Sequence, residues 1–299
     1  MLRPRGLRFL QTLGRQDWLS PELRRRLIKK FVNHNRVGSY PFETDFFCMK
    51  YRGNLNELMD WFVFFFGAYE KEELFLLRDL LKDKPAPVVI DVGASIGQHA
   101  LFMSHYCYQV HAFEPYHRAR SLLNEKIALN RISNIIVHEV GLGAINESLN
   151  FYAPVGHNIG TGSFDPSHRK KNQLIGQLQI RKGDDYLAEL NLKSVDLIKI
   201  DVEGFEKNVL LGLQQTIYRY RPDIFMECTL TTQKTLTDLQ EIIELLPQGY
   251  IICEFCPKSQ FHQLFSKTSY CLRRLDCKTL ATKPLDNFNL LLQSPQSSG

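Results

Sequence analysis

The chain has no apolar run long enough to cross a bilayer. Its most hydrophobic early stretch, Trp61–Phe66, falls far short of the roughly 20 residues that a spanning helix needs. No continuous apolar segment or small-residue cleavage site follows Arg3, Arg5 and Arg8, so the start does not read as a secretory signal. A mitochondrial-type leader has only the lack of acids before Asp17 in its favour. The seven cysteines are an odd number, and Cys107 and Cys228 sit in apolar runs where a free thiol is at home. A reducing compartment, and so a cytoplasmic location, is the expectation. Internal repeats and long low-complexity segments are also missing.

The 44% hydrophobic content over 299 residues is ample for the core of one large domain with an extension. Charge is unevenly spread. Residues 1–52 hold twelve Lys/Arg against four Asp/Glu, a net +8, so the remainder carries −3 of the whole-chain +5. The run Arg24, Arg25, Arg26, Lys29, Lys30 would suit nucleic acid or an anionic membrane. No aromatic residues interleave with it as a stacking platform, so a solvated helix face is favoured, with Leu23, Leu27, Ile28 and Phe31 as its buried stripe.

Residues 1–35 read as one or two basic helices, with Ser20-Pro21-Glu22 as a start signal. A strand over Thr44–Arg52 and helices over Asn54–Gly67 and Glu70–Leu81 follow. Lys84-Pro85-Ala86-Pro87 is a punctuated linker, and the domain boundary is placed there. Beyond it the pattern alternates. Strands are expected at Val88–Ile90, Tyr108–Phe113, Ile135–Val140, Val195–Ile200 and Ile224–Glu227, with helices at 97–106, Tyr116–Asn130, Phe205–Leu213 and Thr235–Leu246. Strands at Tyr250–Phe255 and Phe288–Leu292 close the chain. This alternation implies a doubly wound α/β sheet covered on both faces. The expected organisation is a basic extension and cap over 1–85, a ligand-binding α/β domain over 86–293 and a tail over 294–299.

The main chemical signal is Asp91-Val92-Gly93-Ala94-Ser95-Ile96-Gly97, directly after the buried strand. Its D-x-G-x-x-x-G spacing differs from the G-x-G-x-x-G of dinucleotide binders. A pyrophosphate wants a glycine-lined helix N-terminus without a competing anion. Asp91 at the strand end suits instead a positively charged ligand, such as a sulfonium compound with a free ammonium group. Glu114 ends the next strand, where a carboxylate matches the two hydroxyls of a ribose. In Val195-Asp196-Leu197-Ile198-Lys199-Ile200-Asp201, alternation puts Lys199 and Asp201 on one strand face. A lysine inside a central strand needs an anion, which Asp201 or Glu227 could supply. Asp201, Glu203 and Glu227 then gather at the carboxyl edge, where open α/β sheets bind ligands.

These residues resemble the FkbM-type methyltransferase family over roughly 45–293. The resemblance rests on Phe66-Gly67-Ala68-Tyr69-Glu70, the Asp91–Gly97 loop, Phe113-Glu114-Pro115, Leu129-Asn130 and Gly141-Leu142-Gly143. It extends through Asp196-Leu197-Ile198-Lys199-Ile200-Asp201-Val202-Glu203-Gly204-Phe205-Glu206, the most specific piece, to Arg221-Pro222 and Glu227. It implies S-adenosyl-L-methionine as cofactor, a seven-stranded sheet with the last strand antiparallel, and O-methylation as the usual reaction. Asp91, Gly93, Ser95, Gly97, Glu114 and Gly141 are then the expected cofactor residues. Ser95 departs from the asparagine common in the family.

The acceptor is expected to be a hydroxyl on a sugar, a glycan or a small molecule. Asp201, Glu203, Lys199 and Glu227 are the expected catalytic group, with Asp201 and Glu203 orienting the acceptor or taking its proton. The oxygen ligands of that cluster would also suit a divalent metal such as magnesium or manganese. The sequence does not fix an oligomeric state. Cys253-x-x-Cys256 with Cys271 and Cys277 has a zinc-like flavour, but its second pair is five residues apart, and packing thiols are preferred. His157, in the glycine-rich stretch Gly156–Phe164, reads as a solvated loop residue more readily than as a base. An RNA or protein acceptor is disfavoured by the absence of an N-P-P-[YF] tetrapeptide, and a non-catalytic adaptor by the acids at the acceptor edge.

Overall fold

The apolar run before the glycine turn becomes a strand buried at every position, Val88–Val92, and the molecule is arranged around it. The computed structural model describes residues 4–16, 19–156, 159–164, 172–228, 239–258, 269–275 and 288–295. The strands are β1 (Pro41–Phe46), β2 (Met49–Asn54), β3 (Val88–Val92), β4 (Gln109–Phe113), β5 (Ile135–His138), β6 (Gly141–Gly143) and β7 (Glu147–Pro154). They continue with β8 (Asn172–Lys182), β9 (Leu197–Ile200), β10 (Asp223–Cys228), β11 (Ile251–Pro257), β12 (Tyr270–Arg274) and β13 (Phe288–Gln293). Helices are α1 (Pro4–Gly14), α2 (Pro21–Phe31), α3 (Leu58–Phe66), α4 (Lys71–Leu81), α5 (Gln98–Met103) and α6 (His117–Asn130). After them come α7 (Gly183–Glu189), α8 (Glu206–Gly212), α9 (Gln214–Tyr220) and α10 (Leu239–Glu244).

The central sheet runs in the order β12-β11-β13-β10-β9-β3-β4-β5. From β10 to β5 all neighbours are parallel. β13 pairs antiparallel with both β10 and β11. Among the described residues the sheet has eight strands, against the seven expected. The extra one is β12, antiparallel to β11 at the sheet edge. It escapes sequence reading because only Tyr270 of its five residues is buried, and edge strands carry little apolar signal. The sheet β6-β8-β7 and the hairpin β1-β2 lie outside the central one.

Alternation within each strand divides the core into two layers. Val89, Val110, Leu197, Phe225 and Leu291 pack with residues of α1–α6. Ile90, Ile198, Ile200, Ile224 and Leu292 pack with residues of α7–α10. The chain moves outward from β3 through β4 to β5, then returns to place β9 and β10 on the other side. The order thus reverses between β3 and β9, and a crevice opens at their carboxyl ends.

The N-terminal extension is part of the first core layer through Leu7, Leu10, Ile28 and Val32. Of its expected buried stripe only Ile28 is inside. Leu23, Leu27 and Phe31 are exposed, whereas Arg24, Ile28 and Val32 are buried. Arg24 takes the inner position because its Nη1 donates to the carbonyl of Gly14, 2.7 Å away at the end of α1, where a cation suits the helix dipole. Trp61 Nε1 likewise donates to Val32 O at 2.9 Å.

Cys253 and Cys256 are three apart on β11, so they face opposite sides, and Cys256 pairs in register with Cys271 on β12. Cys277, His157 and the start of the helix expected from Thr235 lie outside the described residues. Among the described residues, no helix is long and apolar enough to cross a membrane.

Candidate active site

The turn after β3 is shaped by close approach. Gly93 has φ +81°, and its N–H and that of Ala94 donate to Phe113 O at 3.0 and 3.1 Å. A Cβ on Gly93 would overlap the backbone oxygen of Asp201. The glycine therefore serves the contact between two strand ends that form the crevice floor, as well as any ligand above it. Ser95 also stands in the left-handed region, at φ +50°. Asparagine tolerates that conformation better than serine. The Ser95 hydroxyl is buried without a hydrogen-bond partner.

One cavity collects most of the expected residues: Gly93, Ser95, Glu114, Lys199, Asp201, Glu203 and Glu227. Gly97 and Gly141 are not among its lining residues. A Cβ on Gly97 would collide with the side chain of Leu123 on α6, and one on Gly141 would come within 2.6 Å of Ile180 Cδ1. Both glycines are explained by packing. Asp91 lies beneath the cavity, fully buried, with neither carboxylate oxygen in a hydrogen bond.

Glu114 follows β4 and is held from two sides. Its Oε2 accepts from Ser95 N and its Oε1 from Tyr116 N, both at 2.8 Å. Burial pushes its carboxyl up to about 7 against the pull of these two N–H groups. The bonds splay the two oxygens at the cavity wall, an arrangement matched to a pair of adjacent hydroxyls.

Lys199 pairs across strands with Asp91, its register partner, at 3.7 Å and meets Asp201 Oδ2 at 3.2 Å. Burial alone would lower the ammonium, but Asp201 and Asp91 outweigh it and raise it. Glu227 does not pair with Lys199. It lines the cavity together with Asp201 instead. Burial and then the Asp201 charge push Glu227 up to about 10, so it keeps its proton. Burial raises Asp201, but the charge and hydrogen bond of Lys199, together with its other neighbours, hold it low. Glu203, at φ +52°, is pushed up to about 8 by burial and by Asp201. A base ionising near neutrality and an anchored carboxylate thus share one crevice.

Three further cavity or rim residues were missed as site residues. Glu70, at φ +49°, precedes α4 and lines the cavity together with Glu73 of its first turn. Tyr69 and Gln98 fix that joint through reciprocal bonds, Tyr69 N to Gln98 Oε1 at 2.7 Å and Gln98 Nε2 to Tyr69 O at 2.8 Å. His99, on α5, sets its Nε2 3.9 Å from Glu73 Oε2. Glu70 ends the Phe66–Glu70 stretch of the family resemblance, the one sequence signal for it, whereas Glu73 reads as an ordinary acidic first-turn residue that only the tertiary fold brings to the crevice.

Comparison with known proteins adds a family. The model of the methyltransferase FkbM domain matches residues 91–254, more than half of the chain. Over 210 residues the chain is 29% identical to Methyltransferase 1 of Beauveria bassiana, covering 60% of this chain and 84% of that protein. Over 192 residues it is 26% identical to the 2-O-methyltransferase NoeI of Sinorhizobium fredii, covering 58% and 77%. A crystal structure of a methyltransferase FkbM from Methylobacillus flagellatus KT gives a TM-score of 0.42 at 20% identity. That comparison covers 64% of this chain and 44% of the other.

Proposed function

The chain belongs to the methyltransferase FkbM domain family, and from that premise we propose that it is an S-adenosylmethionine-dependent O-methyltransferase acting on a hydroxyl of a sugar, glycan or small molecule. The similarity to a 2-O-methyltransferase favours a hydroxyl acceptor. The observation that carries the reading is the convergence of Glu114, Asp201 and Glu203 on one cavity at the sheet's reversal point.

S-adenosylmethionine, when bound, supplies a methyl group already activated on a sulfonium. Two features of the site fit it: the paired Glu114 oxygens for its ribose, and the Ser95 hydroxyl, which lines the cavity without a hydrogen-bond partner. In this reading residues 1–85 cap the domain over 86–293, with Glu70 and Glu73 as the cap's contribution to the cavity.

An attacking hydroxyl must lose its proton. Glu203, near 8, matches that task better than Asp201, which Lys199 and its other neighbours hold as a fixed anion. Asp201 then orients the acceptor and Glu203 takes the proton. Glu206 secures this segment by accepting from Val202 N at 3.3 Å and Gly204 N at 3.0 Å.

The test is turnover with a methyl-labelled donor over small glycosides, polysaccharide precursors and RNA. Asp201→Asn keeps the shape but removes the charge, and should lower kcat at least tenfold on the true acceptor while cofactor affinity changes little. A fully active Asp201→Asn enzyme would make the acidic cluster structural and defeat this mechanism.

A further inference from the structure

We propose that Glu70, Glu73 and His99 form a binding site for one divalent first-row cation, Mn2+ in preference to Mg2+, at the edge of the same crevice. One ligand atom from each side chain, with Nε2 as one candidate from the imidazole, lies within 4.8 Å of the others. That spread is close enough for a single ion to gather all three with small rotamer changes.

The histidine provides an independent sign. His99 is only 9% exposed, and its Nε2 is buried without a hydrogen-bond partner. The 3.9 Å to Glu73 Oε2 is too long for a hydrogen bond. A buried ring nitrogen left open toward a carboxylate loses its hydration with nothing in return. A cation between the two repairs both groups at once.

The carboxylates are prepared in the way ligands usually are. Glu73 Oε1 accepts from Asn289 Nδ2 at 2.6 Å, which fixes the group while leaving Oε2 on the His99 side. Glu70 is held in a left-handed backbone conformation by its neighbours, a strain often found where a side chain must be aimed. Acidic groups also outnumber basic ones in the cavity. Glu70, Glu73, Asp201, Glu203 and Glu227 share the cavity with Lys199, whose ammonium is already committed to Asp91 and Asp201. Two carboxylates and one imidazole make a mixed oxygen and nitrogen set. The imidazole favours a first-row transition ion over Mg2+, and the carboxylates suit Mn2+.

The site's binding chemistry stands alone, but its role rests on the methyltransferase reading. Three protein ligands leave positions open on the ion, and an acceptor hydroxyl placed there would be oriented toward Asp201 and made more acidic.

The experiment titrates metal-stripped full-length protein with Mn2+, reading free ion by electron paramagnetic resonance. Near-ultraviolet circular dichroism and S-adenosylhomocysteine affinity are recorded alongside. We expect one Mn2+ per chain, bound at least tenfold more tightly than Mg2+. His99→Gln and Glu73→Gln should each weaken it at least tenfold with an unchanged spectrum. If either variant unfolds, Glu70→Gln is read by the same criterion. No saturable binding, or binding that the folded variants alter less than twofold, overturns the site. Loss of S-adenosylhomocysteine binding alone, with Mn2+ behaving as expected, would count against the proposed function and leave the metal site standing.

Discussion

Lys199 and Asp91 are register partners on the parallel strands β9 and β3, and the lysine Nζ lies 3.7 Å from Asp91 Oδ1. The lysine is 2% exposed and the aspartate not at all. This pair ties the two strands at the place where the sheet order reverses. It also presents Asp201, 3.2 Å from the same ammonium, to the crevice as an anion.

Removing one partner of such a pair strands the other. Lys199→Met should cost about 3–5 kcal/mol, the usual penalty for an uncompensated buried charge. Adding Asp91→Asn should recover a substantial part of that loss, because the stranded carboxylate is gone. Urea unfolding of both variants checks this. Equal stability of the single and double variants would mean that the pair is not what holds the strands.

Gly93→Ala should weaken the fold and the cofactor site together. Its Cβ would overlap the Asp201 backbone oxygen, and φ +81° is costly for any side chain. A loss of about 2 kcal/mol or more is expected, combining left-handed strain with displaced backbone. Thermal unfolding and cofactor titration should both move. A normal melting temperature with lost affinity would return the glycine to a pure ligand role.

The sheet was legible because its central strands are buried on both faces and read as apolar runs. Val88–Val92 and Leu197–Ile200 needed no tertiary knowledge. β12 was not legible, since four of its five residues face solvent. The α2 stripe was misread because Arg24 is buried by a hydrogen bond to Gly14, which hydropathy does not anticipate. In the site, Lys199, Asp201, Glu203 and Glu227 announced themselves as charges at the ends of apolar strands. Glu73 and His99 did not, because a helix start and a buried helix face converge only once α4 and α5 dock, and Glu70 showed only as the end of the Phe66–Glu70 stretch. Gly97 and Gly141 are motif glycines whose visible contacts are with packed side chains.

The buried carboxyls make stability depend on pH. Glu114, near 7, and Glu203, near 8, are raised from 4.5, so the folded protein holds protons that the unfolded chain has released. Their contribution is full below 4.5 and is lost as pH rises through 7 and 8. His99 and His138 are lowered from 6.5 to about 3 and 4, mainly by burial, and their contribution is lost only as pH falls below 6.5. The melting temperature of the ligand-free protein should therefore fall between pH 6.5 and 8.5. Scanning calorimetry across that range checks it, and a rising or flat profile would show that these carboxyls are not buried as described.

The most direct test of the account is isothermal calorimetry of S-adenosylmethionine binding to the wild-type chain and to Glu114→Ala. The splayed Glu114 oxygens predict saturable binding to the wild type, weakened by about 1–3 kcal/mol in a folded variant that has lost charge-assisted hydrogen bonds. No binding to the wild type, or an unchanged affinity in the folded Glu114→Ala protein, would contradict it.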